Sequence, residues 1–228
     1  MDLREPQPPS VSPHALTIAG WTAFAVAGCI FLLIAWSVST RSPLVTIDAK
    51  VAAWLHAHTS PALTRFLLVV THANSTVAMG AWALAFGAIL WRMRERYWAG
   101  TLALAVGGGA VLNVLLKYAY ERARPHFEDP LIHLDSFSFP SGHTAGAVVF
   151  YGVLAAFLVS RSYKPRVRAA WIAAAIAMVV LVAFSRMYLG AHYLSDVVAA
   201  ACSSTVWLVL CLHTVHGWVR RRMAADRR

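Results

Sequence analysis

The sequence predicts an all-α, polytopic membrane protein of six transmembrane helices, with its polar clusters gathered at the outer membrane face. Three observations carry that expectation. Of 228 residues, 59% are hydrophobic and only 13% charged, where a soluble domain carries about 45–50% and about 25%. The apolar residues fall into runs of about 20, the length that crosses a bilayer core, and the mean hydropathy is +0.59. Basic residues sit at the ends of those runs. The net charge of +10 therefore does not indicate a nucleic-acid partner, because a basic groove needs a soluble surface that this chain has little of.

The first span is read at residues 15–36, after a short, polar, Pro-rich tail (residues 1–14). A cleaved signal peptide is the rival reading, since Ser37-Val38-Ser39 loosely resembles a cleavage site. The run is longer than a signal core of about 7–15 residues, and Asp2 and Glu5 flank the single Arg4, so an uncleaved span is favoured. Residues 43–72 read as a helical segment at the membrane surface: Ile47, Val51, Trp54 and Leu55 recur at helical spacing, with Asp48, Lys50 and His56 pointing elsewhere. The polar "THANST" interrupts the apolar pattern before a second span at 77–91. A third covers 97–120; its Gly107-Gly108-Gly109 permits close helix contact and lacks the lysine and hydroxyl residue of a phosphate loop. The stretch "ERARPHFEDPLIHLDSFSFP" (residues 121–140) forms an outer loop before spans at 141–160, 169–186 and 192–213, and a basic tail fills 216–228. Cys29, Cys202 and Cys211 lie inside apolar runs, an odd number without metal-ligand spacing, and read as packing residues.

With the amino terminus inside, thirteen of the twenty Lys and Arg residues fall on the inner side: Arg4, three at 92–96, four at 161–168 and five at 220–228. The basic excess belongs in the cytoplasm. Both termini are thus expected there, in a plasma membrane, with the active site on the outer or periplasmic side.

Three polar clusters meet at the outer ends of four spans under this threading: "KYAYERARP", "FPSGHTAG" and "SRMYLGAHYLSD". His192 and Asp196 are four residues apart at a helix start, so they share a face. The carboxylate can fix the ring tautomer and leave the other nitrogen as a nucleophile. Ser141 and Gly142 open a span, where unpaired amides and the helix dipole favour an anion. His143 stands ready to protonate a leaving oxygen. Lys117, Arg124 and Arg186 add three cations, which repel one another unless an anion joins them. A phosphate fits that demand, and phosphoryl transfer asks mostly for positioning and charge neutralisation. The residues read as a phosphohydrolase.

Lysine, six residues, Arg-Pro; then Pro-Ser-Gly-His; then Ser-Arg, five residues, His, three residues, Asp: this resembles the type 2 phosphatidic acid phosphatase family, integral-membrane lipid phosphatases that share their site with the vanadium haloperoxidases. The matching positions are Lys117, Arg124 and Pro125; Pro140, Ser141, Gly142 and His143; and Ser185, Arg186, His192 and Asp196. The resemblance implies that His192 attacks phosphorus to form a phosphohistidine, with Asp196 orienting it and His143 as acid. It further implies that Lys117, Arg124, Arg186, Ser141 and Gly142 hold the phosphate. It implies no metal or other cofactor, and the sequence offers no carboxylate cluster for one. The expected partners are a lipid phosphate or diphosphate and the bilayer, with no obligate protein partner. Undecaprenyl diphosphate, hydrolysed to undecaprenyl phosphate, is the first substrate reading, with Arg122 as an extra outer cation for a diphosphate. Phosphatidylglycerophosphate, phosphatidic acid and lipid A phosphates are the alternatives.

Other features have plainer readings. His56, His58, His126 and His133 read as solvated, and His213 and His216 as interface anchors. His72, Asn74 and Ser75 either line the site or pair between helices. Trp54, Trp91, Trp98 and Trp218 read as an aromatic belt. Phe127, Leu131, Leu134, Phe137 and Phe139 suggest an outer loop that rests on the bilayer. A non-enzymatic lipid or phosphate transporter is the competing class, but a carrier needs neither a His–Asp pair nor a second histidine acid. Haloperoxidase activity would require a large soluble scaffold that is missing from the chain.

Overall fold

Proline and serine start most of the helices. The structure, a computed structural model, describes residues 13–225 apart from Arg41, His133 and Asp135, with side chains for residues 18–215. The readings of residues 1–12, of His133, and of the side chains of the basic tail, including Trp218 and His216, lie outside the described residues. Eight helices follow in order: α1 (Pro13–Ser39), α2 (Pro43–Ala57), α3 (Pro61–Ala73), α4 (Thr76–Arg92), α5 (Arg96–Tyr120), α6 (Gly142–Arg161), α7 (Pro165–Tyr188) and α8 (Leu194–Ala225). Among the described residues there is no strand. Pro43, Pro61 and Pro165 stand in the first turns of α2, α3 and α7, where a missing N–H costs nothing. The hydroxyls of Ser42, Ser75 and Ser141 cap α2, α4 and α6.

Five helices are long and apolar enough to cross a membrane: α1, α5, α6, α7 and α8. The sixth expected span is not a single rod. α3 and α4 meet at 51° across the "THANST" break and pass the same test only together, as a broken span or a re-entrant loop. α3, read from the sequence as part of a surface segment, packs on α7 and α4. Asn74 sits buried at the break. Its amide nitrogen donates to Val70 O, and its oxygen accepts from the Tyr151 hydroxyl at 2.9 Å. Pairing between helices is thus its role, while Ser75 caps α4 and the exposed His72 ring bonds Leu68 O.

Helix α2 reverses the expected amphipathicity. Asp48, Ala52 and Leu55 form its buried face, while Ile47 and Trp54 are exposed. A buried carboxylate must find its partners within the protein, and Asp48 faces inward to Arg122 and Ser195.

The core centres on α6, which packs on α4, α5, α7 and α8, with Met79, Leu90, Leu102, Val149, Val153 and Cys211 buried together. The glycine run of α5 admits a side chain rather than a bare helix. Trp207 of α8 fills the space over Gly108, where an added Cβ would stand 2.3 Å from its ring, and its indole N–H donates to Ala105 O at 3.1 Å. The second glycine with a structural duty is Gly190, whose φ of +73° lets the chain turn from α7 into α8. Behind that turn the Ala191 and His192 amides both donate to Arg186 O, at 3.0 and 3.2 Å. One turn therefore fixes Arg186 and His192 together.

The segment at 121–140, expected as an outer loop resting on the bilayer, packs much of its apolar surface on the protein. Phe139 is fully buried against Phe31 and Tyr120. Phe127 stacks on His56 at 4.1 Å, Leu131 packs beside Leu67, Tyr188 and Leu189, and Phe137 meets Tyr118 edge-on. Of the five apolar loop residues only Leu134 is exposed. The belt reading suits Trp54 and Trp91, both exposed, but Trp98 packs edge-on against Phe157.

Candidate active site

The carboxyl ends of α5 and α7, the amino ends of α6 and α8, and the loop before α6 converge at one end of the bundle. Lys117, Arg124, His143, Arg186 and His192 lie within electrostatic range of one another there. All eight residues singled out for catalysis and phosphate binding fall at this end.

His192 is buried, and its Nδ1 faces Asp196 Oδ2 at 3.5 Å. Its Nε2 lies 3.2 Å from Arg124 Nη1. A guanidinium only donates, so Nε2 is the unprotonated nitrogen and the proton resides on Nδ1, toward the carboxylate. Burial lowers the ring's pKa to about 4, outweighing the pull of Asp196 in the other direction. At neutral pH the imidazole is therefore uncharged, as a nucleophile must be.

Asp196 is held from several sides. Its Oδ2 accepts from the Tyr193 amide at 2.9 Å and from the Ser138 hydroxyl, and its Oδ1 accepts from Arg122 at 2.6 Å. Ser138, Ser195 and Asp48 join the site without having been expected there. Arg122, expected as an extra outer cation for a diphosphate, instead has its guanidinium buried between two fully buried carboxylates, Asp196 and Asp48. Removing one member of such a set costs about 3–5 kcal/mol, because it strands the charge that remains. The sequence signal for Asp48 is its helical spacing with Ala52 and Leu55, the other buried residues of α2.

The cations of the cup are pre-positioned. Arg124 Nε donates to Ser136 O at 2.6 Å and Nη1 to Ala191 O at 2.6 Å, with Nη2 on Ser136 Oγ at 2.9 Å. Lys117 Nζ donates to Phe137 O. Arg186 is only 2% exposed; Nη1 donates to Thr71 Oγ1 of α3, and its buried Nε has no partner. An unsatisfied guanidinium nitrogen in such a place is what an incoming anion would complete.

The start of α6 departs from the sequence expectation in one respect. The Ser141 amide donates to Asp196 O at 3.2 Å, and its hydroxyl accepts from Thr144. That amide ties α6 to α8 and is not open to a phosphate oxygen. Gly142 and His143 contribute the remaining free amides of the first turn. His143 is half-buried. Among the described residues, no group of three or more His, Cys, Asp and Glu side chains has metal-binding geometry.

An all-helical membrane bundle with a cationic cup around a His–Asp pair defines a class of phosphate-ester hydrolases, and comparison with known proteins gives the same result. The family model of the PAP2 superfamily matches residues 98–220. Phosphatidylglycerophosphatase B of Bacillus subtilis strain 168 is 34% identical over 170 residues, covering 73% of this chain and 82% of that one. A lipid A 1-phosphatase of Rhizobium johnstonii is 38% identical over 112 residues, 45% of this chain and 42% of that protein. The crystal structure of a transmembrane PAP2-type phosphatidylglycerolphosphate phosphatase from Bacillus subtilis superposes with a TM-score of 0.76 at 28% identity, covering 87% of this chain and 96% of the other. That of Aquifex aeolicus LpxE has a TM-score of 0.60 at 24% identity, over 73% and 95%, a likeness of fold. The chain belongs to the PAP2 superfamily. It is a multi-pass membrane lipid phosphatase, a phosphoric-ester hydrolase.

Proposed function

We propose that this protein hydrolyses the terminal phosphate of a membrane lipid through a phosphohistidine on His192, without a metal ion, at the outer face of the plasma membrane. The observation that carries the reading is the buried His192, with Asp196 behind one ring nitrogen at 3.5 Å and Arg124 beside the other at 3.2 Å.

In the first half-reaction Nε2 attacks phosphorus and an N–P bond forms as the bond to the lipid oxygen breaks. The leaving oxygen takes the proton of His143. Asp196 stabilises the positive charge that grows on the ring. Lys117, Arg124, Arg186 and the Gly142 amide neutralise the oxygens of the transferring group, preorganised by loop carbonyls and by Thr71. The substrate's own negative charge supplies what keeps a proton on His143 amid these cations. In the second half-reaction a water gives its proton to the now neutral His143 and attacks phosphorus, releasing phosphate and restoring His192.

The outer orientation rests on charge. Arg92, Arg94, Arg161, Lys164 and Arg166 are exposed at the end of the bundle opposite the cup, and a basic end belongs in the cytoplasm. The termini then lie inside, and residues 121–140 form the outer loop of a single membrane-embedded phosphatase domain.

For substrate, a phosphate monoester on a glycerophospholipid, phosphatidylglycerophosphate first, has the better support, since a phosphatidylglycerophosphatase is the relative aligned over most of this chain. The residue offered for undecaprenyl diphosphate was Arg122, and it is engaged by two carboxylates. The test is phosphate release by purified protein, chelator present, from phosphatidylglycerophosphate, phosphatidic acid, undecaprenyl diphosphate and a lipid A phosphate, with wild type and His192→Ala side by side. Wild type should release phosphate fastest from the first, and the variant from none. Release that stops on adding chelator sinks the metal-free mechanism; a transporter without hydrolysis would release nothing in either case.

A further inference from the structure

We propose that Asp48 and Arg122 are positioning residues of the reaction: together they hold Asp196 in place behind His192 and set how much of its negative charge the imidazole feels. The inference rests on the phosphohistidine reading above. Neither residue belongs to the cup. Asp48 comes from α2, Arg122 from the turn after α5, and the group they act on from α8.

The geometry is that of a clamp. Arg122 Nη1 donates to Asp196 Oδ1 at 2.6 Å and to Ser195 Oγ at 2.7 Å; Nη2 donates to Asp48 Oδ2 at 2.7 Å. The guanidinium lies over the Tyr193 ring, 4.3 Å from its centre. Asp48 Oδ1 accepts from the Ser195 amide at 2.9 Å, and Oδ2 from the Ser195 hydroxyl. Asp48 thus satisfies a first-turn N–H of α8, the helix that carries Asp196, from a helix 147 positions away in the chain. Both carboxylates are 0% exposed. A fork that grips two carboxylates at once is a property of guanidinium, which lysine does not share.

The electrostatic consequence is specific. Two carboxylates share one guanidinium, so Arg122 gives Asp196 only part of its positive charge. If Asp48 loses its charge, Arg122 acts on Asp196 undivided, and an imidazolium at 192 becomes less favourable. If Arg122 loses its charge, Asp196 is unshielded and the imidazolium becomes more favourable. The other groups facing His192 and Asp196 are Lys117 on α5, Arg124 in the loop, His143 on α6 and Arg186 on α7, and neither change touches them. A pin that only joined α2 to α8 would lower stability in both cases without moving the ring's titration in opposite directions.

The experiment compares Asp48→Asn and Arg122→Gln with wild type, using the full chain in detergent, dioctanoyl phosphatidic acid as probe, and His192→Ala in the same assay. The readouts are kcat, KM, the acid limb of kcat/KM and the melting temperature. Both variants should lose about tenfold in kcat, the scale of a perturbed support group, with KM within about twofold because the phosphate grip is intact. The acid limb should move down in Asp48→Asn and up in Arg122→Gln, each by about half a pH unit or more. Shifts in the same direction, or none in variants that fold, overturn the proposal. Should either variant fail to fold, Arg122→Lys takes its place: it keeps the charge but cannot bridge both carboxylates, so kcat should fall while the limb stays put, and a wild-type kcat overturns the positioning claim. Activity in His192→Ala would defeat the phosphohistidine reading itself. Loss in His192→Ala with wild-type behaviour in the clamp variants defeats only this inference.

Discussion

The two ends of the bundle carry the same residue types under opposite physical conditions. At the basic end Arg92, Arg94 and Arg161 are exposed, and an ion pair there, Arg161 with Glu95, has side chains 53% and 26% exposed. At the site end Arg122 is 9% exposed in its side chain and Arg186 2% as a residue; Arg122 donates to two carboxylates and a serine, and Arg186 to a threonine. The first set keeps its water. The second has given up its water and must be repaid by partners, so every missing partner is informative. Among the described residues Arg186 Nε is buried without a partner.

Breaking the comparison begins with the site end. His192→Ala should lower kcat by at least about 10³-fold, since no other group can take its place at phosphorus. His143→Ala should cost about 10²- to 10⁴-fold in kcat for lipid esters, and far less for a substrate whose leaving group needs no proton, such as a nitrophenyl phosphate. Arg186→Lys should cost roughly 10²-fold in kcat/KM, the scale of one lost transition-state donor, because an ammonium cannot both meet Thr71 and offer a second N–H in the guanidinium plane. Steady-state rates on the purified variants check all three. An Arg186→Lys enzyme with wild-type kcat/KM would show that this charge is merely solvated, like those at the other end.

The two ends were not equally legible in the sequence. Lys117, Arg124, His143, Arg186, His192 and Asp196 were readable because polar residues inside apolar runs are costly and fell at helix ends facing one way. Asp48 was not legible because the partners that draw its carboxylate inward, Arg122 and Ser195, lie far away along the chain. Arg122 was read as outward because sequence gives no distance between residue 122 and residues 48 and 196. The Ser141 amide was assigned to phosphate on a sound rule about helix starts, but a neighbouring carbonyl, Asp196 O, reached it first. The sixth span was half legible: its polar break was visible, and the 51° bend that joins α3 to α4 across it was not. Tertiary contact decides each of these cases, and a one-dimensional pattern does not contain it.

The pH dependence sharpens the contrast further. Burial holds His192 at about 4, below its usual 6.5, so the reactive neutral ring persists as pH falls through 6.5 and is lost only toward 4. The acid limb of kcat/KM, corrected for the substrate's own second ionisation, should lie well below 6.5 and fall about tenfold per pH unit beneath it. A limb at 6.5 or above would mean that the ring is hydrated, as a histidine at the basic end would be.

Packing between the ends gives a smaller effect. Gly108→Ala would place a methyl 2.3 Å from the Trp207 ring, and that indole is tethered by its bond to Ala105 O. Overpacking costs about 1–3 kcal/mol, against a helix-propensity gain of about 1 kcal/mol for replacing glycine. The variant should melt below wild type in the same detergent, with kcat nearly unchanged. A higher melting temperature would mean that Trp207 swings aside.

The smallest effect should come from the basic end itself. Arg161→Ala removes the pair with Glu95 and a guanidinium lying 5.5 Å over the Phe157 ring. Both groups keep much of their hydration, so the pair is worth at most about 1 kcal/mol, and the ring contact adds about 0.5–1 kcal/mol at an exposed position. The melting temperature should fall slightly and the loss should shrink with added salt, which screens exposed charges. Activity on the lipid phosphate should remain that of wild type, because no chain of paired groups links Arg161 to the cup. A large loss of turnover here would erase the distinction between the ends: it would mean that charge at the basic end, far from the cup, takes part in the chemistry.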